Sequence, residues 1–141
     1  MTKPSWLFWV VSVLALLWGF FGAFDFYMTR TGNEEYLEDF PPEMIAWIGN
    51  FPMWRVLLWG LGVGAGLIGA LLLLMRRGVA VSVFWVGVAA LLIGFIRHDL
   101  LMADGVKYYG IPGLIASVFI VIVTVAVAWY AGRAKGNGYL G

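Results

Sequence analysis

Four apolar runs, at about residues 6–27, 52–75, 79–97 and 111–132, constrain this chain more than any other feature. At about 1.5 Å of rise per residue, a helix of such a length crosses a hydrocarbon core of about 30 Å. The rest of the composition agrees. Hydrophobic residues make up 62% of the 141 and charged residues 12%, more apolar side chain than an interior of this size can hide from water. The spacing therefore predicts an all-α, integral membrane, antiparallel four-helix transmembrane bundle, with residues 1–141 forming one transmembrane domain. The first run has only Lys3 ahead of it and no small-x-small cleavage site, so it reads as a retained helix, not as a signal peptide.

The segments between the runs are short and carry the charge. Thr29 to Asn50 contains Arg30, Glu34, Glu35, Glu38, Asp39 and Glu43. Within it Pro41-Pro42-Glu43, followed by Met44, Ile45, Trp47 and Ile48, has the composition of a helix start with apolar residues at helical spacing, which predicts a short periplasmic interfacial helix. Pro52 falls in the first turn of the second span, where its missing N–H costs least. Arg76-Arg77-Gly78 allows only a tight turn, so spans two and three are antiparallel neighbours. Leu100 to Gly110 is expected at the membrane interface, and the tail from Arg133 to Gly141 is expected to be mobile.

Four spans bring both termini to one side, together with the Arg76-Arg77 turn. That side holds Lys3, Arg76, Arg77, Arg133 and Lys135 and no carboxylate, whereas every Asp and Glu falls on the other. The positive-inside rule makes the basic side cytoplasmic, which implies a multi-pass protein of a bacterial inner membrane.

The candidate site residues lie at the outer level: Asp25 at the end of span one, Arg55 at the start of span two, and Arg97, His98 and Asp99 at the end of span three. Trp18, Gly22 and Asp25 share one helix face, and a carboxylate at such a position is costly unless it is paired or hydrated, so Asp25 is expected to pair with Arg55 or Arg97. Trp47, Trp54, Tyr27 and Tyr36 frame this polar cluster. It reads in two ways: as interface anchors and salt bridges that hold helix ends together, or as an outward polar pocket in which Asp25 or His98 binds a solute or relays a proton. In span two Gly60, Gly62, Gly64 and Gly66 form overlapping GxxxG pairs, a candidate packing face within the bundle or toward a second copy.

Several classes drop out. The absence of cysteine removes thiolate metal sites and cysteine nucleophiles, and His98 is the only histidine, so a bis-histidine haem or a multi-histidine metal site within one chain is excluded. No cofactor and no enzymatic activity are expected. A net charge of +1, with no basic stripe and no phosphate-binding loop, gives no case for nucleic acid. The lipid bilayer is the one certain partner, with a homo-oligomer or a larger membrane complex as further candidates.

The segments Leu17-Trp18-Gly19-Phe20-Phe21-Gly22-Ala23-Phe24-Asp25-Phe26-Tyr27-Met28-Thr29, Asn33-Glu34-Glu35-Tyr36-Leu37, Phe51-Pro52-Met53-Trp54, Leu71 to Arg77 and Ala80-Val81-Ser82-Val83-Phe84 resemble a group of small bacterial four-helix membrane proteins described as sugar transporters, similar to DoxX-like proteins in size and layout. The resemblance covers about the first two-thirds of the chain. That group's pattern has Asn after the Leu-Trp pair, where Gly19 stands here. The resemblance implies small-solute binding or transport. The alternative is an accessory or assembly subunit of a larger membrane complex, since the spans place only Ser82, Ser117 and Thr124 at mid-depth.

Overall fold

The computed structural model describes residues 1–141 and is all-α. Helix α1 spans Trp6–Arg30, the single turn α2 spans Glu34–Leu37, α3 spans Pro42–Gly49, α4 spans Met53–Leu74, α5 spans Ala80–Leu92 and α6 spans Gly105–Gly136. Between α5 and α6, Ile93–Leu100 continues the third span as a π-helix. Four stretches, Trp6–Arg30, Met53–Leu74, Ala80–Leu100 and Gly105–Gly136, are long and apolar enough to cross a membrane, and the chain is a multi-pass membrane protein.

Local chemistry accounts for most boundaries. The end of α1 is closed by Gly32, whose φ of 68° belongs to the left-handed region, while the Asn33 N–H donates to Met28 O across the last turn. Asn33 then caps α2, its side-chain oxygen accepting from the Tyr36 N–H at 2.9 Å. Pro42 opens α3 at its first position, and Pro52 stands immediately before α4. The interfacial helix expected after Pro41 is α3; α2 has only four residues and no apolar periodicity to announce it.

Spans α1 and α4, α4 and α5, and α5 and α6 pack as successive antiparallel neighbours, and Trp18 of α1 meets Phe119 of α6 edge-on at 6.0 Å. The buried core lies toward the end that carries both termini, built from Phe8, Leu73 and Phe84 over the small residues Ala70, Ala80, Ala128, Ala131 and Ala134. Alanine there lets helix axes approach, since in lipid the association of helices rests on close packing rather than on hydrophobic drive.

Three expectations change. The fourth helix begins before Ile111: α6 starts at Gly105, and Gly110, with φ 65° and ψ −179°, breaks it one residue ahead of the expected start. That backbone region is open to glycine almost alone. The tail is not mobile but docked. Leu140 is buried, the Gly141 N–H donates to Arg76 O at 2.9 Å, and the Arg76 guanidinium donates to Tyr139 O at 2.8 Å and to Thr2 O at 2.6 Å. Arg76 itself turns the chain between α4 and α5 with a φ of 58°.

The glycine face also differs. A Cβ at Gly64 or Gly66 would meet nothing within 4 Å, Gly60 faces Phe26 of α1, and only Gly62 packs toward α5, 3.7 Å from Gly87 O. The tightest approaches lie elsewhere: a Cβ on Gly19 would come 2.9 Å from Leu67 Cα, and one on Gly69 would come 2.8 Å from the Phe84 ring. A GxxxG spacing puts glycines on one face but does not say which neighbour that face meets, and α4 has neighbours on two sides.

Candidate functional site

The end of the bundle opposite the termini carries a buried charge network, and its centre is Asp99. Arg55 stands in the first turn of α4, immediately after Pro52 has set the direction of the chain, so its long side chain crosses to the third span. There the π-helix has more residues per turn than an α-helix and so rotates successive side chains less, which leaves the adjacent residues His98 and Asp99 both facing inward and both buried. Such π segments occur preferentially at functional sites.

Asp99 is fully buried and every acceptor direction is engaged. Its Oδ1 accepts from Arg55 Nε at 2.8 Å and lies 2.7 Å from His98 Nδ1. Its Oδ2 accepts from Arg55 Nη2 at 2.8 Å and from the Tyr109 hydroxyl at 2.7 Å. The Arg55 fork is thus bidentate, the strongest geometry available to an ion pair between side chains. Glycines create the room. A Cβ on Gly94 would stand 2.9 Å from Arg55 Nη1, and one on Gly105 would run into the Asp99 carbonyl.

Aromatic rings wall the network. Phe51 and Trp54 present edges to the His98 ring at 5.0 and 5.2 Å, and the Arg55 guanidinium lies 5.0 Å from the Phe51 centroid. Trp47 of α3 stacks on Tyr108 at 5.1 Å and donates its indole N–H to Ala103 O at 2.9 Å, which ties α3 to the start of α6.

Two polar atoms of the network remain uncommitted. Arg55 Nη1 and His98 Nε2 make no hydrogen bond within the protein, yet neither is sealed away, because Ser12 Oγ is the only sealed side-chain polar atom without a partner. Since the Asp99 carboxylate accepts, the shared proton belongs on His98 Nδ1. A neutral ring then offers Nε2 as an acceptor, and a protonated ring offers it as a donor. The site therefore presents one fixed donor and one group whose role changes with a proton.

The structure brings together Arg55, His98 and Asp99 of the expected cluster and separates the other two members. Asp25 does not pair with Arg55 or Arg97. Its Oδ1 instead accepts from the Tyr36 hydroxyl of α2, and burial, that hydrogen bond and the neighbouring negative charge push the Tyr36 hydroxyl up to about 12. Arg97 is exposed and makes no ion pair. The physical reason is rotation: Asp25 lies on the face of α1 that meets the α2 turn, whereas the inward face of the third span at this level belongs to residues 98 and 99. Tyr109, ten residues beyond Asp99, was absent from the expected cluster, and only its place beside the Gly110 break hints that it turns inward. A cavity of about 250 Å³ at the same end, against Arg30, Phe40, Ile45 and Gly49, touches neither Arg55 nor His98. Comparison with protein-family models, with curated proteins and with solved structures returns no match.

Proposed function

We propose that the chain is a bacterial inner-membrane protein with both termini in the cytoplasm, and that its periplasmic end binds a small hydroxyl-bearing solute at Arg55 and His98. The observation that carries this reading is the pair of unpartnered, reachable atoms, Arg55 Nη1 and His98 Nε2, held rigid from behind by Asp99. A hydroxyl can accept from the guanidinium and donate to the neutral imidazole, and the Phe51 and Trp54 edges supply apolar contact for a carbon skeleton. The resemblance to four-helix proteins described as sugar transporters leans the same way. Binding is favoured over passage through one chain, because Ser117 and Thr124 turn their hydroxyls onto their own helix, at Gly113 O and Ile120 O.

Thermal unfolding in mild detergent tests the reading with glucose, glycerol and acetate as probes. Glucose or glycerol is expected to raise the midpoint of the wild type, and His98→Leu, which leaves the Arg55 and Asp99 fork in place, is expected to abolish that rise. No stabilisation by either polyol, or the same rise in the variant, would refute it. Orientation is read separately by single cysteines in this cysteine-free chain: an impermeant thiol reagent is expected to label Glu38→Cys and not Arg77→Cys in intact cells.

A second reading, an accessory subunit of a larger membrane complex, draws on the exposed face of α6, where Ile111, Ile115, Phe119 and Ile122 are uncovered. Co-purification of a stoichiometric partner in mild detergent would favour it.

A further inference from the structure

The opposite end of the bundle carries a feature that the proposed solute site does not use. A groove of about 550 Å³ runs between α5 and α6, walled by Trp85, Trp129, Arg133 and Asn137 and floored at Gly132 and Gly136. Its depth comes from the missing side chains: a Cβ at either glycine would meet nothing within 4 Å. The Arg133 guanidinium lies 5.5 Å from the Trp129 centroid and makes no ion pair. Lys3, Arg76, Arg77 and Lys135 share this end, and no Asp or Glu does.

We propose that this groove holds an anionic phospholipid, its acyl chain along the Gly132 and Gly136 floor and its phosphate at Arg133 and Asn137. Charge complementarity selects this occupant. An end with five Lys and Arg and no carboxylate attracts negative headgroups, and a guanidinium fixed above an indole matches a phosphate oxygen. The two tryptophans stand at the depth where amphipathic rings settle between acyl chains and headgroups. A second copy packed on the same glycines would bring two Arg133 side chains together with nothing to neutralise them, and like charges in that setting repel.

Native mass spectrometry of the full chain, released from micelles doped equally with dioleoylphosphatidylglycerol and dioleoylphosphatidylcholine, tests this. The wild type is expected to retain phosphatidylglycerol preferentially. Arg133→Gln is expected to reduce that preference about fivefold, the factor contributed by one cation near an anionic surface. Gly132→Leu fills the groove without touching its own bundle and is expected to remove retention of both lipids. Inorganic phosphate alone is expected to leave the thermal midpoint unmoved. Equal retention of the two lipids by the wild type, unchanged retention in both variants, stabilisation by inorganic phosphate alone, or a dimer that Gly132→Leu converts to monomer while lipid retention persists would each overturn the proposal.

Discussion

Replacing Asp99 with Asn is expected to be among the most damaging single polar substitutions in this protein. The change keeps the side-chain shape and removes the charge that the other members of the network share. Arg55 would then be buried with no counter-ion, and removing one partner of a buried pair costs about 3–5 kcal/mol. Two features moderate the loss: the Arg55 side chain retains 10% exposure, and Asn Oδ1 can still accept one bond. One feature aggravates it, since the Asn amide would point its own hydrogens at Arg55, His98 or Tyr109, all of which are donors to Asp99. The balance is a loss of about 3 kcal/mol. Asp25→Asn serves as the control, because it weakens one hydrogen bond to the half-buried Tyr36 and should cost about 1 kcal/mol. Reversible unfolding in mixed micelles of mild detergent and dodecyl sulfate, followed by far-ultraviolet circular dichroism, measures both. Adding Arg55→Leu and the pair Arg55→Leu with Asp99→Leu completes a cycle whose coupling should reach about 2 kcal/mol. An Asp99→Asn loss under about 1 kcal/mol, the value of a solvated surface pair, or single losses that simply add, would refute the argument.

The glycine contacts and the Tyr36 hydroxyl give two further expectations. Gly19→Ala should destabilise by about 1–3 kcal/mol, because its Cβ would press on the Leu67 backbone, while Gly66→Ala should be nearly neutral, because its Cβ meets open space; thermal midpoints in one detergent compare them directly. Tyr36 has its hydroxyl raised from 10.0 to about 12, so the folded state favours the neutral form: the contribution is whole below pH 10 and disappears as pH rises from 10 toward 12. Tyr36→Phe is expected to lower stability at neutral pH and to lessen the fall in that alkaline window, as read from stability measured at a series of pH values; parallel curves for variant and wild type would contradict it.

Much of the architecture was legible because membrane insertion is a local property. About 20 apolar residues in a row demand a helix whatever surrounds them, and Pro42, Pro52 and the Arg76-Arg77-Gly78 turn mark boundaries through their own backbone chemistry. The segregation of all acidic residues to one end followed from the same count, as did the meeting of Arg55, His98 and Asp99 at one depth. Partner choice was not legible. Depth along a span is a matter of residue number, but which side chains meet depends on how each helix is rotated about its axis. A π-helix at Ile93–Leu100 alters that rotation without a compositional signal, turning Asp99 rather than Asp25 toward Arg55. The same holds for the glycines: spacing placed Gly60, Gly62, Gly64 and Gly66 on the second span, but only the packed bundle decided that Gly19 and Gly69 take the closest contacts. The tail was the clearest case, since nine residues rich in glycine carry no local preference of their own, and their order comes from carbonyls that happen to lie within reach of the Arg76 guanidinium.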